Sequence, residues 1–97
     1  MEKLPAVKIG TERVKIRLLA EVDVVMTFKG YAPVVRCRVE GEDQEQMLYI
    51  SAKSLAQHLE RMRGLNGGHF TGLEFFLRKE SNEKLAQYIV EDSGGPH

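Results

Sequence analysis

Two arginines near the middle of the chain have a spacing that suits phosphate binding. Arg36 and Arg38 alternate with Val35, Cys37 and Val39, so on an extended strand both guanidinium groups point away from the apolar side. A guanidinium group binds phosphate or carboxylate oxygens through paired hydrogen bonds. An ordinary solvated strand face has the same alternation, so this pattern leaves both interpretations open.

Further cations and flat side chains accompany these arginines. A single-stranded nucleic acid is bound by cations along its phosphates and by aromatic rings, and each stacked base contributes about 1–3 kcal/mol. Tyr31, Tyr49 and Phe76 are the predicted stacking platforms, although Phe76 equally suits a position under a loop or at a subunit contact. The predicted nucleic-acid-binding residues are Lys29, Tyr31, Arg36, Arg38, Tyr49, Phe76, Arg78, Lys79 and Lys84.

The sequence contains no set of side chains with the spacing of a catalytic or metal site. His58 and His69 have no second histidine or cysteine at metal-ligand spacing. Gly67-Gly68 is an isolated glycine pair, whereas a phosphate-binding loop needs a longer glycine pattern. Cys37 alternates with the arginines, which predicts a buried structural thiol. We therefore expect a protein without catalysis, metal or cofactor.

The composition indicates one small domain inside the cell. The chain has 97 residues, of which 42% are hydrophobic, and no apolar run approaches the ~18 residues of a membrane span. Its first five residues lack the apolar stretch of a secretory signal. With Cys37 as the only cysteine, no internal disulfide is possible. These features predict a cytoplasmic protein without a membrane partner.

The charges are balanced overall but unevenly distributed. Lysine plus arginine equals aspartate plus glutamate, 14 against 14, so the net charge itself predicts no nucleic-acid partner. Residues 1–38 hold eight basic and four acidic side chains, and residues 39–97 hold six basic and ten acidic ones. This polarity permits a local basic surface in the first half but makes long-range steering of an anionic ligand weak.

Hydrophobic periodicity predicts five strands and one helix. Alternation over residues 14–28 predicts one long strand, or two strands in register, ended by a turn at 30–33. A 3.6-residue period after Ser51, the expected N-cap, predicts a helix that ends at Gly64. The other predicted strands are 34–40, 46–50, 71–79 and 85–91.

The element order β-β-β-α-β-β, with a long first strand, is typical of the OB-fold, a five-stranded Greek-key barrel. We assign residues 12–91 to this OB-fold-like domain, residues 1–11 to an N-terminal extension with a possible short strand, and residues 92–97 to a disordered tail. A small α+β sandwich with a packed helix is the alternative. OB-folds bind ligands along strands two and three and at two neighbouring loops, which is where the predicted binding residues fall.

Residues 51–91 carry a resemblance to a known family. Ser51-Ala52-Lys53-Ser54-Leu55 would open the helix, a strand segment from Gly72 to Glu80 ends in basic residues, and Gln87-Tyr88-Ile89-Val90 places a tyrosine in the last strand. This half resembles phage- and prophage-encoded OB-fold proteins of the single-stranded-DNA-binding type. The chain departs from that family at Glu80-Ser81-Asn82-Glu83, where a glycine-rich turn is expected. The resemblance implies binding of single-stranded DNA, and the sequence does not distinguish DNA from RNA.

A protein-interaction or assembly module is the alternative function. Leu19, Val25, Val34 and Phe76 are apolar residues on strand faces that the alternation assigns to solvent. An exposed apolar cluster of this kind usually marks an interface, so a homo-oligomer without nucleic-acid affinity would also fit the sequence.

Overall fold

The chain is mainly β, with six strands in one antiparallel sheet and a single helix. The computed structural model describes residues 4–28, 30–50, 52–83 and 86–92. Each strand alternates apolar and polar residues, and the helix has an apolar stripe, so one layer can pack on the other. The elements are β1 (Val14–Leu18), β2 (Asp23–Thr27), β3 (Gly30–Val39), β4 (Glu45–Tyr49), α1 (Lys53–Leu65), β5 (Glu74–Lys79) and β6 (Tyr88–Asp92).

The ten-residue strand β3 organises the sheet. Its first half pairs with β2 and its second half with β1, while β4 lies along its other edge. The strand order is β2-β3-β1-β5-β6, and within the described residues no pairing joins β4 to β6. The sheet is therefore not closed. The prediction of a mainly β domain with one helix is confirmed, whereas five strands in a closed barrel are not what the structure contains.

The predicted long first strand is divided by a corner at residues 19–22. The segment before β5 holds this corner, because the Gly72 N–H donates to the Leu18 carbonyl at 2.8 Å. The Glu21 carboxylate accepts hydrogen bonds from the Thr71 hydroxyl at 2.6 Å, from the Thr71 N–H at 2.8 Å and from the Phe70 N–H at 3.1 Å. These donors favour the ionised carboxylate and lower the pKa of Glu21 to about 2.

We expect the substitution Glu21→Gln to destabilise the protein at neutral pH and to lose this effect in acid. The pKa of Glu21 lies below its ordinary value of 4.5 in the folded chain. Its charge therefore stabilises the fold above that value and stops doing so as the pH falls towards 2. Urea unfolding of both proteins at about pH 7, pH 4 and pH 2.5 measures the difference in free energy of unfolding. A difference that is the same at all three values would contradict the role of the charge.

The core lies between the inner face of the sheet and α1. Burial confirms the predicted apolar stripe of the helix and the predicted inward faces of the strands in the body of the domain, whereas Val24, Met26 and Phe28 of the predicted first strand are exposed. Cys37 is among the buried residues, and burial raises the pKa of its thiol to about 11. The core consists of Ile16, Leu18, Val35, Cys37, Val39, Leu48, Ile50, Leu55, Leu59, Phe70, Phe75 and Leu77.

The helix boundaries differ from the predicted ones at the C-terminus. Gly64 lies inside α1, and the C-cap is Asn66, whose N–H donates to the Arg63 carbonyl at 3.0 Å. At the other end Ala52 occupies the N-cap position without a side-chain cap, and Ser51 lies outside the described residues. The helix is neither long nor apolar enough to cross a membrane, and it is the only helix in the described ranges.

The turn predicted at residues 30–33 is wrong, because these residues belong to β3. Thr27 and Gly30 are register partners, so the chain already reverses before Gly30, which has a positive φ of 107°. Proline has no N–H to donate to a neighbouring strand. Pro33 is tolerated because it lies beside the end of β4, where its carbonyl accepts a hydrogen bond from the Ile50 N–H at 3.0 Å. The following turn, at 41–43, lies where it was predicted.

The remaining predicted strands differ from the observed ones at their ends. Residues 71–73 precede β5 and do not belong to it, and β6 begins at Tyr88 and includes Asp92, which was assigned to the disordered tail. Residues 93–97 of that tail lie outside the described residues. In the N-terminal extension, Ala6 forms an isolated parallel bridge with Met47.

The hairpin of β2 with the first part of β3 extends beyond the part of the sheet that α1 covers. We call residues 23–28 and 30–33 the arm. Val24, Met26 and Phe28 continue the alternation that buries Ile16 and Leu18, and were predicted to share that core face. In the arm they are exposed instead, because the core cluster does not extend to them.

Candidate nucleic-acid interface

The outer face of the sheet, opposite α1, brings most of the predicted binding residues together. Residues that are register partners in neighbouring strands project to the same side. Arg36 is the partner of Met47, Lys15 of Phe76, and Arg78 of Ile89. Because Ile16, Val35 and Phe75 point inward, their neighbours point outward. The outer face thus contains Lys15, Arg17, Val34, Arg36, Arg38, Glu45, Met47, Tyr49, Glu74, Phe76, Arg78, Ile89 and Glu91.

Arg17 and Arg38 are direct register partners on β1 and β3. Two like charges opposite each other destabilise a sheet by a few tenths of a kcal/mol to about 1 kcal/mol. Arg17 forms one long ion pair, in which its Nη1 lies 3.8 Å from Oε1 of Glu74. Arg38 forms no ion pair with the residues that the structure describes. An anion placed between the two guanidinium groups would relieve their repulsion.

A depression of about 280 Å³ lies on this part of the outer face. Lys15, Arg17 and Arg38 supply its cations, and Glu40, Glu42 and Glu74 supply its carboxylates. The depression thus has three cations and three carboxylates, and Glu40 and Glu74 lie directly beside Lys15 and Arg17. It is open to solvent.

Two further outer-face cations, Arg36 and Lys15, are paired with carboxylates at the surface. Arg36 contacts Glu45 at 3.1 Å, and Lys15 contacts Glu74 at 3.9 Å. Pairs of this kind between solvated side chains contribute about 0–1 kcal/mol each. A phosphate can therefore displace them at a small cost. Such competition lowers the affinity for a polyanion but leaves the cations available to it.

Two of the three predicted stacking platforms lie on this face. Tyr49 is half-buried and is the register partner of Val34, next to Arg36 along the sheet. Phe76 is half-buried, and the Arg13 guanidinium covers its ring at 4.4 Å from the centroid. A base could stack on Tyr49 directly, whereas at Phe76 it would stack on the guanidinium plane or displace it.

Two predicted residues do not join this arrangement, and two others fall outside the part of the chain that the structure describes. Tyr31 belongs to the arm and lies on the opposite side of the sheet, beside Met26. Lys79 also faces the other side, with its ammonium 5.8 Å from the centroid of Tyr88. Lys29 and Lys84 lie outside the described residues. The outer face therefore groups Arg36, Arg38, Tyr49, Phe76 and Arg78 of the predicted set.

Arg13, Lys15 and Arg17 were not among the predicted site residues. The sequence did indicate that Lys15 and Arg17 face away from the core, because they alternate with the buried residues of β1. The pattern did not show that β1 lies directly beside β3, which places these cations next to Arg38. Arg13 precedes β1 and joins the group through Phe76 and through Glu91, to which it is paired at 3.3 Å.

The predicted apolar cluster of Leu19, Val25, Val34 and Phe76 is not formed. Val34 is fully buried, and the other three are half-buried. Phe76 on β5 is separated from Val34 by β1 and by the cations of the outer face.

Most cations and rings of the outer face belong to strands β1, β3, β4 and β5, and Arg13 and Glu40 to Glu42 flank them. No family model, curated protein or solved structure matches this chain.

Proposed function

We propose that the chain is a binding protein without catalytic activity and that its outer face binds a single-stranded nucleic acid, with DNA as the expected ligand. The observation that carries this proposal is the direct opposition of Arg17 and Arg38, with Arg38 lacking an ion pair among the described residues. Each of the two arginines also has a glutamate as its register partner on the other side, Glu74 for Arg17 and Glu45 for Arg38, and a phosphate would compete with these carboxylates for the guanidinium groups. A phosphodiester backbone supplies one such anion per nucleotide.

The proposed path of the backbone follows the cations across the strands. Arg36 and Arg38 on β3 would hold one or two phosphates, Arg17 on β1 would share one with Arg38, and Arg78 on β5 would extend the path. Tyr49 at one end and the Arg13–Phe76 pair at the other would stack bases. Contacts of this type do not distinguish one base from another, so we expect little sequence preference.

The finer proposal for the fold is an OB-fold variant related to the phage-type single-strand binders. Supporting it, β1 and β2 together act as one bent strand that pairs with β3 along its length, and β1 continues to β5. Along the chain, the helix also comes between β4 and β5. The N-terminal segment follows the free edge of β4, where the Met47 N–H donates to the Pro5 carbonyl at 2.8 Å. In this variant the segment would cover an edge that a closed barrel pairs with its last strand.

The cytoplasm is the proposed location. Cys37 is the only cysteine of the chain and its thiol is buried and unpaired. A small domain that builds its core without a disulfide is typical of a reducing compartment.

We expect labelled oligo-dT to bind with a dissociation constant in the micromolar range or below at low salt, as measured by fluorescence anisotropy. Because bound cations release counterions from the strand, the logarithm of the association constant should fall linearly with the logarithm of salt, with a slope of about −0.7 for each phosphate contacted. An oligomer of the same length in duplex form serves as the comparison. Absence of binding at low salt would overturn the proposed function.

A further inference from the structure

We propose that two copies of this chain form a dimer by packing their arms face to face, a property that goes beyond the proposed function and uses the opposite side of the sheet. The contact face consists of Val24, Met26, Phe28 and Tyr31. Val24 is 58% exposed, Met26 70% and Tyr31 73%, and Phe28 is fully exposed. Register places Met26 beside Tyr31 and Val24 beside Pro33, so Val24, Met26 and Tyr31 form one continuous surface. Phe28 follows the last residue of β2, in the turn at the end of the arm.

The size of this surface is close to what a dimer needs. At about 150–250 Å² for each aromatic side chain, and less for Val24 and Met26, the exposed part of the four residues amounts to roughly 500 Å². This exposed apolar area is as large as the largest apolar patch on an ordinary monomer, and such patches are often functional. A specific interface buries about 800 Å² on each partner. The four residues would supply most of this area, and the polar rim of the arm would supply the rest.

The charge distribution favours a second copy over a charged partner. The described residues of the arm place no charged side chain on the contact face, since Asp23 lies on the outer side with Val25 and Thr27. A nucleic acid or an ionic peptide would find no complementary charge there. A two-fold contact needs only a self-complementary patch, and an apolar patch meets this condition. The formal net charge of zero also means that two copies do not repel each other over a distance.

The backbone of β2 favours contact through the side-chain face over addition of a strand at the edge. Strand β2 is the last strand on its side of the sheet. The Val24 N–H, which is the register neighbour of Pro33, is already bonded to the Asp23 carboxylate at 2.8 Å. A strand added at this edge would have to displace that bond. Face-to-face packing buries the four side chains and leaves the bond intact.

The test is sedimentation equilibrium of the full chain from about 5 to 500 µM, with the variants Met26→Lys and Tyr31→Lys. The wild type should change from monomer to dimer within this range. Each arm variant should weaken the dimer at least about tenfold, since a lysine would be buried in an apolar contact. Leu65→Lys is the matched control, because Leu65 is 85% exposed at the end of α1 and does not belong to the contact face.

Circular dichroism checks that the variants are folded, which their exposed positions lead us to expect. A wild type that stays monomeric to the highest concentration overturns the proposal. So does an arm variant with the dimerisation constant of the wild type, a control that loses the dimer as the arm variants do, or a wild type that assembles beyond a dimer. Oligo-dT affinity of Met26→Lys, measured below the dimerisation range, should equal that of the wild type, so failure of the dimer and failure of the proposed function are separable.

Discussion

Replacing Arg17 and Arg38 together with glutamine should weaken oligo-dT binding at least about 100-fold at low salt, since each charge-assisted contact contributes about 1.5–3 kcal/mol. The salt slope should fall by about 1.4, because about two phosphate contacts are lost. The stability of the fold should stay the same or rise, as the two side chains are register partners of like charge. Anisotropy and urea unfolding measure the two effects separately.

A loss of affinity without a loss of stability would distinguish two arginines that bind a ligand from two arginines of an ordinary solvated surface. The matched control is Lys53→Gln with Arg61→Gln, which removes the same charge from the exposed face of α1. The control should keep most of the affinity and most of the salt slope. Equal losses in the two double variants would mean that overall charge, and not the outer face, determines binding. A double arginine variant with unchanged affinity would place the site elsewhere.

The largest effect on stability is expected for Phe75→Ala. Phe75 is fully buried on β5 and belongs to the core against which α1 packs. Truncating a buried phenylalanine costs about 3–5 kcal/mol, which is a large part of the 5–15 kcal/mol that holds a typical domain together. Urea unfolding should show a lower midpoint with little change in slope.

The adjacent residue provides the matched comparison, because neighbouring residues of a strand face opposite sides. Phe76 is half-buried on the outer face under Arg13. Phe76→Ala should cost less stability, about 1 kcal/mol, and should reduce oligo-dT affinity by about 1–3 kcal/mol if a base stacks there. Equal destabilisation by the two substitutions would contradict the assignment of the faces. Unchanged affinity in Phe76→Ala would remove this platform from the proposed site.

Local periodicity was sufficient to predict the kind of element and the inward face in the body of the domain. Val35, Cys37 and Val39 alternate with arginines, and the structure buries these three residues. The apolar stripe of α1 likewise supplied Leu55 and Leu59 to the core. These predictions succeed because burial of an apolar side chain is favourable, by about 1.5–3 kcal/mol for a large one, wherever a second layer covers the strand. The orientation of Arg36 and Arg38 follows from the same period of two.

Distant parts of the chain decided the rest. Val24 and Met26 continue the alternation of Ile16 and Leu18, yet only the latter pair is buried, because the core cluster does not extend to the arm. The opposition of Arg17 and Arg38 depends on the register of β1 with β3, which no local pattern encodes. The corner at Glu21 depends on donors from residues 70 and 71, about fifty positions along the chain.

Local sequence was thus sufficient to predict which segments form strands and the helix, though not their ends, and which side of each is apolar, since these depend on neighbours one to four positions away. Tertiary structure alone decided which apolar faces are covered, which cations become neighbours and whether the sheet closes. The physical reason is that these properties arise from contacts between elements, whose free energy depends on the register and on the extent of the covering layer.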